Sequence, residues 1–78
     1  MSPPLLKKIS GMDCVKLLCK HFGFQVIRQR GSHVILAKGS GAERKGTVVP
    51  SHRELKVGTL KGILELAGVE EKEFSKFQ

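Results

Sequence analysis

Aromatic residues are scarce in this 78-residue sequence. Tryptophan and tyrosine do not occur, and there are four phenylalanines. Recognition of RNA by stacking bases on an aromatic sheet surface is therefore not expected to dominate. The two cysteines, Cys14 and Cys19, form no CxxC pair for zinc, and on a helix they would lie about 140° apart, too far round to bridge each other. We interpret them as small core residues in a reducing cytosol.

A long apolar run is also missing. No stretch is long enough to cross a membrane as a helix, and residues 1–8 lack the apolar centre of a signal peptide. We therefore expect a cytoplasmic protein with no membrane partner.

Acidic residues are half as frequent as basic ones. Seven Asp and Glu stand against fourteen Lys and Arg, which gives a formal net charge of +7. The chain is long enough for one domain, which would bury roughly 60% of its unfolded surface. A basic domain of this size most often binds nucleic acid or an acidic protein.

A helix is predicted in the first third of the chain. Pro3-Pro4 favours an extended segment over residues 1–9, and Ser10 with Asp13 resembles a capping box, so the helix should begin near Gly11. Apolar residues then recur at helical spacing and form one stripe, made of Met12, Val15, Leu18, Cys19 and Phe22.

Three strands should follow, at residues 24–30, 33–38 and 47–49. A polar, glycine-rich loop separates the second strand from the third, and Pro50 ends the third. Phe24 and Ile27 have opposite strand parity, so either a bulge intervenes or Phe24 precedes the regular pairing.

A second amphipathic helix is predicted from apolar residues at i, i+3, i+4 and i+7, namely Leu60, Ile63, Leu64 and Ala67. Gly62 weakens this helix by roughly 1 kcal/mol relative to Ala, and close packing on the sheet is the expected reason for it. Gly68 should end the helix with Val69 touching Leu64, and Phe74 should pack from a last short helical turn. The α-β-β-β-α order predicts one α+β domain over residues 10–78, a three-stranded antiparallel sheet with helices on one face and the other face open.

The stretch from Arg28 to His33 carries the chemistry. Gly31 and Ser32 are turn formers between two β-rich runs, so a hairpin is expected with His33 at the mouth of its turn. Histidine titrates near neutral pH, and a histidine beside arginines suits general-base chemistry on a phosphate-bearing substrate. The alternative is a solvent-exposed turn histidine without a chemical role.

Several short motifs, taken in order, resemble those of the HicA (YcfA-like) family. They are Gly23-Phe24, the stretch from Arg28 to His33, Val49-Pro50, His52, Leu55, Gly58-Thr59-Leu60, Ile63-Leu64 and Ala67-Gly68. The resemblance covers about residues 10–77. Its members are mRNA interferases, the toxins of type II toxin–antitoxin pairs. The resemblance implies a double-stranded-RNA-binding-domain-like fold and a ribonuclease with His33 as the catalytic residue. It also implies a HicB antitoxin as the partner that covers the active face.

Metal-independent cleavage of RNA needs a base for the 2′-hydroxyl, cations near the phosphate and an acid for the leaving 5′-oxygen. His33 suits the base. His52 is either the acid, if the segment after the third strand folds back over the hairpin, or a structural residue. Candidate RNA contacts are Arg28, Arg30, Ser32, Lys38 and Arg53, and each of the four charged side chains could instead be a solvated surface residue. Three histidines without a carboxylate pair predict no metal site, and no cofactor is expected.

The leading hypothesis is an endoribonuclease that acts on mRNA. A first alternative is an RNA-binding module without catalysis, which formation of cleavage products would exclude. A second is a basic adaptor that binds only an acidic protein, and it predicts no affinity for RNA even at low salt.

Overall fold

The computed structural model describes residues 5–78. The predicted extended segment over residues 1–9 therefore lies partly outside the described residues, and Pro3-Pro4 lies wholly outside them. Leu6 is 3% exposed and packs in the core, and Ile9 forms an isolated β-bridge with Leu55. The residues just before the first helix are thus attached to the domain.

The first helix, α1, spans Gly11–Phe22. The Ser10 hydroxyl accepts a hydrogen bond from the Asp13 N–H at 3.0 Å, so the predicted cap is confirmed. Gly23 ends the helix in the left-handed region, with φ of 76°, where glycine carries no steric cost. Met12 departs from the predicted apolar stripe, because it is half exposed.

The sheet consists of three antiparallel strands in the order β1-β2-β3, which span Gln25–Arg30, His33–Lys38 and Lys45–Pro50. Phe24 and Ile27 were expected to be separated by a bulge or by the start of the strand, and both explanations hold. Phe24 precedes β1, and the pairing register shifts between Val26 and Arg28. β3 is longer than predicted at both ends, and Pro50, expected to stop it, is its last paired residue. A 3₁₀ turn at Gly41–Glu43 lies in the preceding loop.

The two faces of the sheet differ in burial. Because side chains alternate along a strand, cross-strand partners share a face. Leu36 pairs with Thr47 and Val34 with Val49, and all four are buried on the face that meets the helices. The opposite side, which we call the open face, carries Arg28, Arg30, His33, Ile35, Val48 and Pro50.

Two further helices complete the domain, α2 at Val57–Ala67 and α3 at Glu71–Ser75. The Val69 N–H donates to the Leu64 carbonyl at 3.0 Å, which confirms the predicted helix end, and Phe74 is fully buried as expected. The prediction that Gly62 allows close packing of α2 on the sheet is wrong. Gly62 is exposed, and a Cβ built there meets no atom within 4 Å. The α+β architecture is as predicted.

Candidate active site

The hairpin turn between β1 and β2 positions His33. Gly31 takes a φ of 58°, which favours glycine, and the Gln29 side chain donates to the Gly31 carbonyl at 3.1 Å. His33 then opens β2 and pairs with Arg30 on one side and Pro50 on the other. Directly opposed residues place their Cβ atoms roughly 4.5–5.5 Å apart, so Arg30 and His33 are neighbours on the open face.

Arg28 lies on the same face as Arg30 and His33, two positions along β1. All three residues are exposed. Within residues 5–78, their side chains take part in no ion pair and no hydrogen bond. The charges and N–H donors of the two arginines are therefore available to an anion such as a phosphate group.

Backbone contacts bring the segment after β3 against the hairpin turn. The Ser51 N–H donates to the Ser32 carbonyl at 2.6 Å, and the Gly11 N–H at the start of α1 donates to the His52 carbonyl at 2.9 Å. The side chains of His52 and Arg53 are exposed beside this junction. The Ser51 contact extends the pairing of β3 with β2 by one residue, and a role for His52 as the acid stays a prediction.

Lys38 lies at the other end of β2, roughly 17 Å along the strand from His33. Its Nζ donates to the Phe22 carbonyl at 3.1 Å and lies 5.0 Å from the centre of the Phe24 ring. Lys38 thus caps the end of α1, where a cation suits the helix dipole. The structure does not bring it together with His33, and its contact with RNA stays a prediction.

Sequence reasoning missed two residues that shape this site. A Cβ at Gly11 would overlap the Pro50 carbonyl, so glycine permits α1 to begin against the end of β3. Gln29 braces the turn through its side chain. Neither residue carries a distinguishing local signal, because a glycine after a helix cap and a glutamine in a strand are both common.

The remaining reactive groups lie elsewhere. Both cysteines are free, and burial raises the pKa of the Cys14 thiol to about 12. Burial also raises the pKa of the partly exposed Cys19. Among residues 5–78, no three His, Cys, Asp or Glu side chains lie close enough to hold a metal ion. No helix in this part of the chain is both long and apolar enough to cross a membrane.

Residues 11–69 match a family model described as HicA toxin of bacterial toxin-antitoxin. The chain belongs to this HicA toxin family. The match takes in α1, the whole sheet and α2, and therefore every residue of the hairpin site. A HicA toxin acts within a toxin–antitoxin system, so an antitoxin is its partner. No curated protein and no solved structure matches the chain significantly.

Proposed function

We propose that this HicA-family chain is a metal-independent endoribonuclease that cleaves mRNA on its open face, and that a HicB-type antitoxin inhibits it by covering that face. One observation carries the proposal. Arg28, Arg30 and His33 stand together on the open face, exposed and without a carboxylate partner among residues 5–78. This combination offers a proton acceptor and two phosphate-binding forks at one place.

In the proposed reaction, His33 takes the proton of a 2′-hydroxyl group. The 2′-oxygen attacks the adjacent phosphorus, and the bond from phosphorus to the 5′-oxygen breaks. Arg28 and Arg30 bind the phosphate oxygens as negative charge develops on them. The leaving 5′-oxygen takes a proton from an acid, either protonated His33 or His52. The products are a 2′,3′-cyclic phosphate and a 5′-hydroxyl end.

The test compares His33→Ala with Gln25→Ala, a matched control. Gln25 is also exposed, but it pairs with Ala37 at the far end of β1. We expect His33→Ala to abolish cleavage of purified RNA while its free energy of unfolding stays within about 0.5 kcal/mol, since the turn supports little core. The control should cleave normally, and EDTA should not stop the reaction. Wild-type cleavage rates in His33→Ala would remove His33 from the mechanism.

Binding of RNA without cleavage is the second candidate, and one observation favours it. The His33 side chain has no hydrogen-bond partner among the described residues, whereas a catalytic base is commonly oriented by a third group. Tight RNA binding by the wild-type chain, with no product after long incubation, would establish this candidate instead.

The open face is also the surface that we propose the antitoxin covers. Val48 is 40% exposed and pairs with the half-buried Ile35 beside the arginines. An acidic antitoxin would be steered to the arginines and then held by these apolar contacts. We expect His33 to lose its reactivity towards a histidine-modifying reagent when the antitoxin saturates the chain. Unchanged reactivity in the saturated complex would mean that inhibition works from another surface.

A further inference from the structure

A concave surface lies beside α1, on the side of the domain away from the open face. This groove, of about 480 Å³, runs along the solvent side of α1 between residues 7–9 and the end of the described chain. Its Asp13 end lies at the same end of the domain as the hairpin turn, because α1 begins at a hydrogen bond to His52. None of the groove's lining residues belongs to the His33 site, so the two are separate.

The groove is strongly basic. Four lysines line it, namely Lys7, Lys8, Lys16 and Lys20, and Asp13 is the carboxylate among its lining residues. All four lysines are exposed. The ion pair found within residues 5–78 joins two other residues on α3 and its end, so the groove lysines have no carboxylate partner in this part of the chain.

Tertiary contacts build the groove, which distinguishes it from scattered surface lysines. The Gln78 side chain accepts from the Lys7 N–H at 2.9 Å and donates to the Lys7 carbonyl at 2.7 Å. The ring of His21 stacks on Phe77, with centres 3.9 Å apart and planes 11° apart. Phe77 also meets the edge of Phe22. The Lys7 segment is thus fixed opposite α1, and a flat aromatic pair closes one end.

We propose that this groove is a second RNA-binding site, in which the lysines bind the phosphates of a single strand and a base stacks on the free face of His21. Phosphates need unpaired cations, and bases stack on flat rings, so the two features together fit a nucleic acid better than an acidic peptide. RNA as the ligand rests on the proposed function, but the site does not involve His33.

The test uses the double variant Lys16→Gln/Lys20→Gln in a His33→Ala background, so that RNA stays intact. Lys61→Gln/Lys72→Gln is the matched control, because it removes the same charge from exposed positions on α2 and α3. Binding of a fluorescent single-stranded RNA of roughly 20 nucleotides is measured by anisotropy over a series of salt concentrations. The groove variant should bind at least about tenfold more weakly, and its slope of log affinity against log salt should be smaller by about 1.4. The control should change affinity by less than about threefold.

Stacking is tested separately with His21→Ala and His21→Phe. The alanine variant should bind the same RNA about fivefold more weakly or worse, whereas phenylalanine should restore affinity because it keeps a flat ring. Circular dichroism melting of each variant checks that the fold persists. Equal weakening by alanine and phenylalanine would overturn the stacking contact.

Equal losses in the two lysine double variants would overturn the groove as an RNA site, since net charge alone would then explain the effect. Normal RNA binding by the groove variant, with loss of antitoxin binding, would assign the groove to a protein instead. With His33 intact, the groove variant should cleave tetranucleotides at the wild-type rate and long RNA more slowly. If the wild-type chain cleaves no RNA at all, the proposed function is refuted. The anisotropy comparison of the two lysine double variants would still decide whether the groove binds RNA.

Discussion

Gly11 offers the sharpest test of how the fold supports the hairpin site. A methyl group at this position would overlap the Pro50 carbonyl oxygen and press on the Ser51 Cα. Both are backbone atoms, so rotation of a side chain cannot relieve the clash. Pro50 is the strand partner of His33, and displacement of Pro50 would therefore reach the candidate site directly.

The expected loss of stability follows from the type of contact that the added methyl group would make. We expect Gly11→Ala to lower the free energy of unfolding by about 1–3 kcal/mol, the usual cost of overpacking. In a domain of this size each kcal/mol shifts Tm by roughly 4–8 °C, so Tm should fall by at least about 4 °C. Gly62→Ala is the matched control. It adds the same methyl group to an exposed turn of α2 with nothing within 4 Å, and should raise stability by about 0.5–1 kcal/mol.

Thermal unfolding followed by circular dichroism gives both shifts, and RNA cleavage is then measured at a temperature where each variant is folded. Gly11→Ala should cleave more slowly than wild type even when folded, and Gly62→Ala should cleave normally. A Gly11→Ala variant as stable as wild type would refute the close approach of α1 to β3. If Tm changes in the same direction in both variants, the contrast between a crowded Gly11 and an open Gly62 is refuted.

Three further predictions concern stability and binding away from the turn. The Thr47 hydroxyl donates to the Ile63 carbonyl at 2.8 Å inside the core, so Thr47→Val should cost about 1 kcal/mol in urea unfolding. Lys38→Met should also cost about 1 kcal/mol by removing the bond to Phe22, and should weaken RNA binding less than Arg30→Gln does in the same anisotropy assay. Burial raises the pKa of the Cys14 thiol from 9.0 to about 12, so this thiol ionises first in the unfolded chain. Its contribution to stability should therefore be constant below about pH 9 and be lost between pH 9 and 12, and Cys14→Ala should lose less stability than wild type over that range.

The parts of the fold that the sequence predicted correctly are those set by near neighbours. The cap between Ser10 and Asp13 and the helix end at Gly68 each involve residues within a few positions of one another. The Gly31-Ser32 turn is similarly local, and β2 has the predicted bounds. Because local backbone chemistry decides such features, a single sequence is enough to place them.

The features that were missed depend on distant partners. Lys38, a predicted phosphate contact, donates to a carbonyl sixteen positions away, and no local pattern indicates this bond. The groove along α1 is closed by a contact between Lys7 and Gln78, which are 71 positions apart. Gly62 is a different case, because it has no partner: it lies opposite the apolar stripe of α2 and faces solvent. No spacing rule relates Lys38 to Phe22 or Lys7 to Gln78, so only the folded chain reveals those two contacts.

The alternation of β2 explains how so small a domain can hold a site without losing its core. His33 and Ile35 point to the open face, whereas Val34 and Leu36, at 3% and 0% exposure, point into the helices. The buried pair anchors the strand, and this anchoring fixes where His33 stands relative to Arg30. Changes on the open face should therefore affect chemistry with little effect on unfolding, while changes to the buried pair should affect both. A second packed face would bury the arginines, so the open face is a requirement of this site.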